Sequence, residues 1–523
     1  MNIPAALNCD GYKTSHYKQY SPHTQIVYST WTPRKSRMEG VNEVVFFGLQ
    51  YFIKDYLIDS FNNTFFNRPK DEVINEIRTT MKYYTGDINT SHWEQLHDLG
   101  YLPLKISAVE EGTLVPIRCP MFTIENTKPE FYWLTNFIES VMSTEIWKPM
   151  TSATIALQYR KILDKYAEKT CDNNNHVDYQ GHDFSYRGMA GCDGGLSSGA
   201  GHLLSFKGTD TIPAILWLQK YYNANPEEGI GCSIPATEHS VAETNIIELE
   251  EVTKDKKEAE KLYIKRLLNI YENETFSYVA DTYNLWEVLK DILPSLKEDI
   301  MSRRGTFVVR PDSGDPCDII CGLNTKYKGY MVDAIERKRL QHDGSQYIDQ
   351  QMKGVVELLW DTFGGTINEK GYKVLDPHVG CIYGDAITLE RAEEICSRLE
   401  SKGFASSNIV LGIGSYTYNM NTRDTFGFAL KTTYGMVNDK ELMLYKDPIT
   451  DDGTKKSQKG MVSVIEKDGI ITYIDNLNKY DKLAYIDTKQ DLLQPVFVDG
   501  KLIKEVTLEE IRKKLLNANS TKD

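Results

Sequence analysis

The chain lacks the marks of several large protein classes. It has 523 residues and a formal net charge of −14, with 60 Lys and Arg against 74 Asp and Glu. No basic excess is available for a general nucleic-acid face, so nucleic acid is not an expected partner. No stretch approaches eighteen consecutive apolar residues, so neither a membrane span nor a membrane partner is expected. The opening MNIPAALNCDGYKTSHY has no basic region followed by an apolar run, and a signal peptide is not expected there. The nine cysteines contain no CxxC pair and no zinc spacing. They read as free thiols of a reducing compartment, which makes a cytoplasmic location the expectation. Cys317 and Cys321 are spaced to share a helix face, but nothing nearby completes a metal site. The phosphate-loop pattern GxxxxGK[ST], GxSxG and HExxH are all missing. DDGT at 451–454 lacks the preceding apolar strand of a type I phosphoribosyltransferase and reads as a plain loop.

What is present is an ordinary soluble balance, 41% hydrophobic and 26% charged, with length enough for a sizeable core. Short apolar runs recur in the middle of the chain and stop at polar turns. SYVADTYNLW stops at Asp281, TFVVRPDSGDP at Arg310 and Asp312, and NIVLGIGSYTY at Gly412 and Gly414. GCIYGDAITLERAEEICSRL reads as strand, turn and helix; HDFSYRG and SFKGTDT are similar run ends. These runs scarcely alternate, which predicts strands buried on both faces and parallel βα units. In such folds function gathers at the carboxyl ends of the strands. AETNIIELEEVTKDKKEAEKLYIKRLLNIY reads as a helical stretch with a solvated charged face.

The first 150 or so residues are rich in Tyr and Trp and predict antiparallel strands, as in LPLKISAVEEGTLVPIRCPMFTIE. The last hundred contain similar strands with KDG and VDG hairpin turns. The expected fold is therefore α/β, with a second α+β domain formed from both chain ends. The expected boundaries are 1–150, 151–425 and 426–523, the middle segment being the catalytic one. The tail NANSTKD is expected to fray.

Two segments raise chemical questions. Residues 182–211 hold six glycines from Gly188 to Gly201 ahead of an expected helix. Such a turn can present N–H groups to an anion, but GLSSGAG is not GxGxxG, and a structural turn explains it equally well. GCSIPATEHS, residues 231–240, places His239 after an acidic residue and a proline-broken turn. Taken alone, His239 reads as a buried structural histidine.

The joint pattern says more. LNCDGYKTSHYKQY, FFGLQYFI, FYWLTNFIESV, HDFSYRG, FKGTDT, SIPATEHS, RPDSGDP, YGDAI, TRDTFGFALKTTY and LYKDPITDDGTKKSQKG occur in this order. Together they resemble the nicotinamide phosphoribosyltransferase family of type II phosphoribosyltransferases, from about residue 9 to about residue 510. The resemblance implies an irregular α/β barrel with an α+β domain and a head-to-tail homodimer with shared active sites. It implies transfer of phosphoribose from phosphoribosyl pyrophosphate to nicotinamide, magnesium as cofactor, and ATP as a co-substrate coupled through a phosphohistidine.

It also implies roles. Phe184 stacks on the pyridine ring, and Tyr12 of the second subunit stacks on its other face, with Asp10 in the same segment. Asp210 accepts from the carboxamide, and Ser233 is a further substrate-binding residue. Arg187 and Arg310 lie close to substrate; Asp312, Gly384 and Asp385 form the ribose and metal side, with the metal ligands left unassigned. Gly414 and Ser415 present N–H groups to phosphate, and the neighbouring subunit contributes Arg423 and Lys431 to the pyrophosphate. Lys446 lies near the ATP phosphates. His239 accepts phosphate from ATP and Asp281 orients it; the alternative is a histidine that only hydrogen-bonds phosphates.

Three features depart from the family pattern. GIGSY replaces a longer glycine run, Cys232 stands where tyrosine is expected, and the stretch after Pro316 reads as a helical insertion. The rival readings are a nicotinate phosphoribosyltransferase, against which Asp210 speaks by charge, and a non-catalytic metabolite binder on the same fold.

Overall fold

The computed structural model describes residues 3–323, 347–384, 386–450 and 456–520. Two units divide it: residues 1–154, 213–226 and 421–523 in the first, and 155–212 and 227–420 in the second. The sequence division had kept 213–226 with the catalytic segment. That insert packs on the first unit through aromatic contacts, Trp217 and Tyr222 lying 5.9 and 4.8 Å from Phe47.

The first unit is built on a seven-stranded antiparallel sheet. Its order is Lys440–Met443, Ala429–Val437, Thr24–Thr32, Phe122–Asn126, Leu104–Ala108, Gln494–Val498 and Lys501–Leu502, so three early strands lie between two pairs from the last part of the chain. Trp31 stacks between Phe122 and Phe428 at 5.8 and 5.7 Å, joining three strands in one buried aromatic layer. The expected Asp-Gly turns are present: Asp468-Gly469 and Asp499-Gly500 all have positive φ and join antiparallel strand pairs. Of the tail expected to fray, residues 517–520 continue the helix Leu508–Ser520, whose apolar stripe, Leu508, Ile511 and Leu515, is buried; residues 521–523 lie outside the described residues.

The second unit holds a six-stranded sheet in the order Gly208–Thr209, Gly181–Asp183, Val410–Ile413, Val379–Tyr383, Phe307–Arg310 and Phe276–Val279. Every pairing in it is parallel. The segment 232–237 then bonds to both edges. Thr209 N–H donates to Cys232 C=O at 3.0 Å, and Ser277 N–H to Pro235 C=O at 2.8 Å. One extended segment thereby closes the sheet into an irregular barrel. Phe276–Val279 is buried at every residue, as an apolar run covered on both faces must be.

Two helix expectations are revised. The stretch from 239 to 270 is two helices, His239–Thr253 and Lys256–Ile270. Lys254 at φ +57° ends the first, and Asp255 caps the second by accepting from the amides of Lys257 and Glu258. The glycines of 191–201 lie inside the helix Gly191–His202 instead of ahead of it. Of the expected insertion, the helices Pro316–Cys321, Ile348–Lys353 and Val355–Phe363 are seen. Residues 324–346 lie outside the described residues, as do Asp385 and the DDGT loop.

Candidate active site

Because all six strands of the second unit run parallel, their carboxyl ends share one face. Phe184, Asp210, Asp281, Arg310, Asp312, Gly384 and Gly414 each follow or end one of these strands. Ser233 and His239 enter from the closing segment 232–237 and the helix after it.

At one end of this face, Asp210 is held by two donors on a single oxygen. His182 Nε2 lies 2.9 Å and Ser233 Oγ 2.5 Å from Oδ1. Partial burial pushes the carboxyl up, but the bonds from His182 and Ser233 and the charges of His182 and Arg310 bring it below the usual carboxylate range. The carboxylate is therefore ionised near neutrality, and its side chain is 46% exposed. Beside it, Phe184 lies against two glycines. A Cβ on Gly412 would come within 2.5 Å of the ring and of Gly384 Cα, and one on Gly384 within 3.3 Å of the ring. Both glycines are needed for the ring to lie flat against the strand ends.

At the other end, His239 is the first residue of a fifteen-residue helix, where unpaired amides and the helix dipole favour an anion. Its Nε2 lies 3.2 Å from Asp281 Oδ1. Asp281 is 6% exposed. Its other oxygen accepts from Asp312 N–H at 3.1 Å and from the Ser313 hydroxyl. Arg310 donates to Thr237 C=O at 2.9 Å and pairs with Asp312 at 3.1 Å. One connected network thus links His239, Asp281, Asp312 and Arg310. Arg187 is exposed in the turn Tyr186–Gly188, where Gly188 lets Ser415 Oγ approach; a Cβ there would meet it at 2.1 Å. Tyr416, the departure from the glycine run, is 61% exposed.

The remaining sequence-predicted residues lie in the first unit. Asp10 accepts from Ser140 Oγ at 2.7 Å, and Tyr12 is 61% exposed with Lys13 Nζ 5.3 Å from its ring. Lys431 pairs in register with Thr30 on the strand Ala429–Val437. Burial lowers its ammonium, Glu139 opposes this, and the cations Arg34, Lys446 and Lys13 lower it further. Such a set of cations around one lysine suits a polyanion. Arg423 is half exposed beside Asp424 at 3.6 Å, and Lys446 N–H donates to Ser457 Oγ at 2.9 Å. Sequence reasoning had not assigned Arg34 or Lys13; the basic run PRKSR was the available signal for Arg34. It also passed over His182 and Ser313.

Among the described residues no three His, Cys, Asp or Glu side chains converge on a metal position. Magnesium is characteristically held by one or two carboxylates together with substrate phosphates. Asp312, 30% exposed at the mouth, fits the role of a single protein ligand to such an ion. A cavity of about 990 Å³ lies in the first unit, floored by Phe46, Leu49, Ile53 and Leu492, and contains none of these groups, so cavity size does not mark the chemistry. Among the described residues no helix is long and apolar enough to cross a membrane.

Comparison with known proteins gives consistent matches. Residues 179–501 match the family described as the nicotinate phosphoribosyltransferase (NAPRTase) family, and residues 4–106 the nicotinamide phosphoribosyltransferase N-terminal domain. A nicotinamide phosphoribosyltransferase of Acinetobacter baylyi is 45% identical over 520 residues, 97% of this chain and 96% of that one. One of Xanthomonas campestris pv. campestris is 30% identical over 514 residues, 97% of each chain. The crystal structure of nicotinate-nucleotide pyrophosphorylase from Pyrococcus furiosus is 15% identical with a TM-score of 0.50, covering 99% of this chain and 96% of that one, and speaks to the fold alone.

Proposed function

The chain belongs to the nicotinamide phosphoribosyltransferase family, and from that premise we propose that it joins nicotinamide to phosphoribosyl pyrophosphate, forming nicotinamide mononucleotide and pyrophosphate in NAD salvage. The observation that carries the choice of pyridine is the ionised, doubly anchored Asp210 beside the Phe184 ring. An amide donates to such a carboxylate; a nicotinate anion is repelled by it.

The pyridine nitrogen attacks C1 of the ribose, the bond to the pyrophosphate oxygen breaks, and its electron pair leaves with pyrophosphate. Phe184 and Tyr12 of the partner subunit sandwich the ring in line with C1, which supports the reaction by positioning. Arg310, with Arg423 and Lys431 of the partner subunit, meets the negative charge that grows on the leaving group, and Asp312 faces the oxocarbenium-like sugar. Magnesium, bound by the pyrophosphate with Asp312 as protein ligand, would neutralise part of that charge. No general base is needed, because no proton is removed.

ATP enters through His239. With Nε2–H donated to Asp281, Nδ1 carries the free lone pair. It takes the terminal phosphoryl group of ATP, and ADP leaves. The resulting dianion sits at the helix N-terminus. The functional unit in this reading is a homodimer with shared sites in the cytoplasm, in keeping with nine free thiols.

The test is kcat/KM for nicotinamide and nicotinate on wild type and Asp210→Asn. The wild type should prefer the amide by on the order of 10⁴. The variant keeps the shape and loses the charge, so the ratio should shrink by at least roughly tenfold. An unchanged ratio would remove Asp210 from recognition, and nicotinate mononucleotide as the main wild-type product would replace the reading.

A further inference from the structure

The imidazole of His182 touches both parts of the pyridine-recognition end. Its Nε2 is 2.9 Å from Asp210 Oδ1, and its ring lies 4.5 Å from that of Phe184 at an interplanar angle of 41°. It is buried, and it fits because Gly208 has no side chain: a Cβ there would stand 2.8 Å from Nδ1. Since a carboxylate only accepts, Nε2 carries the proton. With Ser233 donating to the same Oδ1, the carboxylate is turned so that Oδ2 is left for a ligand.

The charged and titratable groups around His182 are Asp210, Arg310, His202 and Asp183. Most of them keep one charge near neutrality. Asp210 is ionised, as described above, and Arg310 is a guanidinium. His202 is held neutral by complete burial, which pushes it down to about 4, and its ring bonds Tyr418 OH at 2.7 Å and Gly208 C=O at 3.0 Å. Asp183 is buried and accepts from Ser185 N–H at 2.9 Å and from Thr211 Oγ1 at 2.7 Å. An imidazole is the side chain that changes charge in this range.

We propose that His182 is a positioning residue whose charge state sets the amide-over-acid preference. Neutral, it donates to Asp210 and leaves the pair with a full negative charge that an incoming carboxylate cannot approach. Protonated, it keeps the same Nε2–H bond and cancels that charge, while the amide retains Oδ2 as its acceptor. Discrimination is then steep in mildly basic solution and relaxes in mildly acidic solution. This inference rests on the pyridine-transfer reading above.

The test is the ratio of kcat/KM for nicotinamide to that for nicotinate, from about pH 8.5 to about pH 5.5. Taking a ratio cancels His239, phosphoribosyl pyrophosphate and ATP, which serve both pyridines alike. In the wild type the ratio should fall at least roughly tenfold towards acid, the size a charge at hydrogen-bond distance imposes. In His182→Gln, which keeps a neutral donor, the ratio should stay at its high, alkaline value across the span. In His182→Ala the KM for nicotinamide should rise about tenfold with kcat little changed, and His182→Gln should restore it. A wild-type ratio that is flat with pH overturns the proposal without any variant having to fold. So does an equal slope in His182→Gln. If wild type forms nucleotide from neither pyridine, the transfer reading itself fails, which is a separate and recognisable outcome.

Discussion

In the proposed reading His239 carries the chemistry beyond simple transfer, and its surroundings explain why one histidine of ten is suited to it. The ring is 42% exposed at a helix N-terminus, yet its Nε2 is tied to an almost fully buried carboxylate. In that reading, exposure lets ATP reach Nδ1, and the bond to buried Asp281 fixes the tautomer. His239→Ala should abolish ATP hydrolysis and the acid-labile phosphate formed on the protein after ATP treatment. Transfer should survive in a slow, uncoupled form, with any stimulation by ATP lost. The check is acid-labile phosphate on intact protein together with ADP release; undiminished ATPase activity in the variant would take His239 out of the role. His239 was singled out because its motif stands in a recognisable series of motifs, and the structure brings it to the strand ends beside Asp281. His182 was not, although HDFSYRG had been singled out. Nothing local in the sequence says that its Nε2 meets a carboxylate twenty-eight residues on.

Elements were legible where burial dictates composition. Phe276–Val279, Phe307–Arg310 and Val410–Ile413 are apolar on both faces because both are covered, and the sequence stops being apolar where the strands emerge. The closing segment 232–237 was not legible: Ser-Ile-Pro-Ala-Thr shows no strand pattern, and its pairing is a few bonds to two edges far apart in sequence. The glycine-rich helix was misplaced because glycine carries the second-worst helix propensity, after proline, and tertiary packing overrides it. A further element-level feature escaped entirely. The helix Leu49–Phe52 begins at Gly48, φ +102°, where a Cβ would meet Pro149 at 2.6 Å. Its first amides are satisfied by Glu111, which accepts from Gly48 N–H at 2.9 Å, Gln50 N–H at 2.6 Å and Tyr222 OH at 2.8 Å. Complete burial nevertheless raises this carboxyl to about 7, the three bonds only partly offsetting it. A carboxyl raised on folding binds more protons folded than unfolded. Its contribution is thus whole below the ordinary carboxylate range and is lost as pH rises through about 7. The thermal midpoint of wild type should fall over that interval, and Glu111→Gln should fall less. In acid the variant should be the less stable by about 1–3 kcal/mol, since a Gln amide sets a donor against donors, and the two curves should converge in alkali. Glu260, also raised to about 7 by burial, contributes equally to both proteins and drops out of the difference. Parallel curves would mean that Glu111 does not titrate there.

At the scale of the whole molecule, the proposed reading calls on side chains from both units. The second unit supplies Phe184, Asp210, Arg310 and His239 around one set of strand ends. The first supplies an exposed Tyr12, a half-exposed Arg423 and Lys431 among other cations. Exposed aromatic and cationic side chains are what a shared pocket needs from a neighbour, and a two-fold dimer would deliver them twice. Mixing two inactive variants tests this. Phe184→Ala loses the ring platform and Arg423→Ala loses the pyrophosphate clamp, so each homodimer should be at least roughly a hundredfold impaired. In a mixed dimer with shared sites, one pocket combines the intact Phe184 of one chain with the intact Arg423 of the other, and the second pocket lacks both. Random pairing at equal amounts makes half the dimers mixed, so activity should recover to about a quarter of wild type. If Arg423 serves the pocket of its own chain, every pocket in every dimer is defective and nothing recovers. Subunit exchange, followed with two differently tagged chains, shows that mixed dimers have formed. Mixed dimers without recovered activity would assign Arg423 to its own subunit and end the shared-site reading.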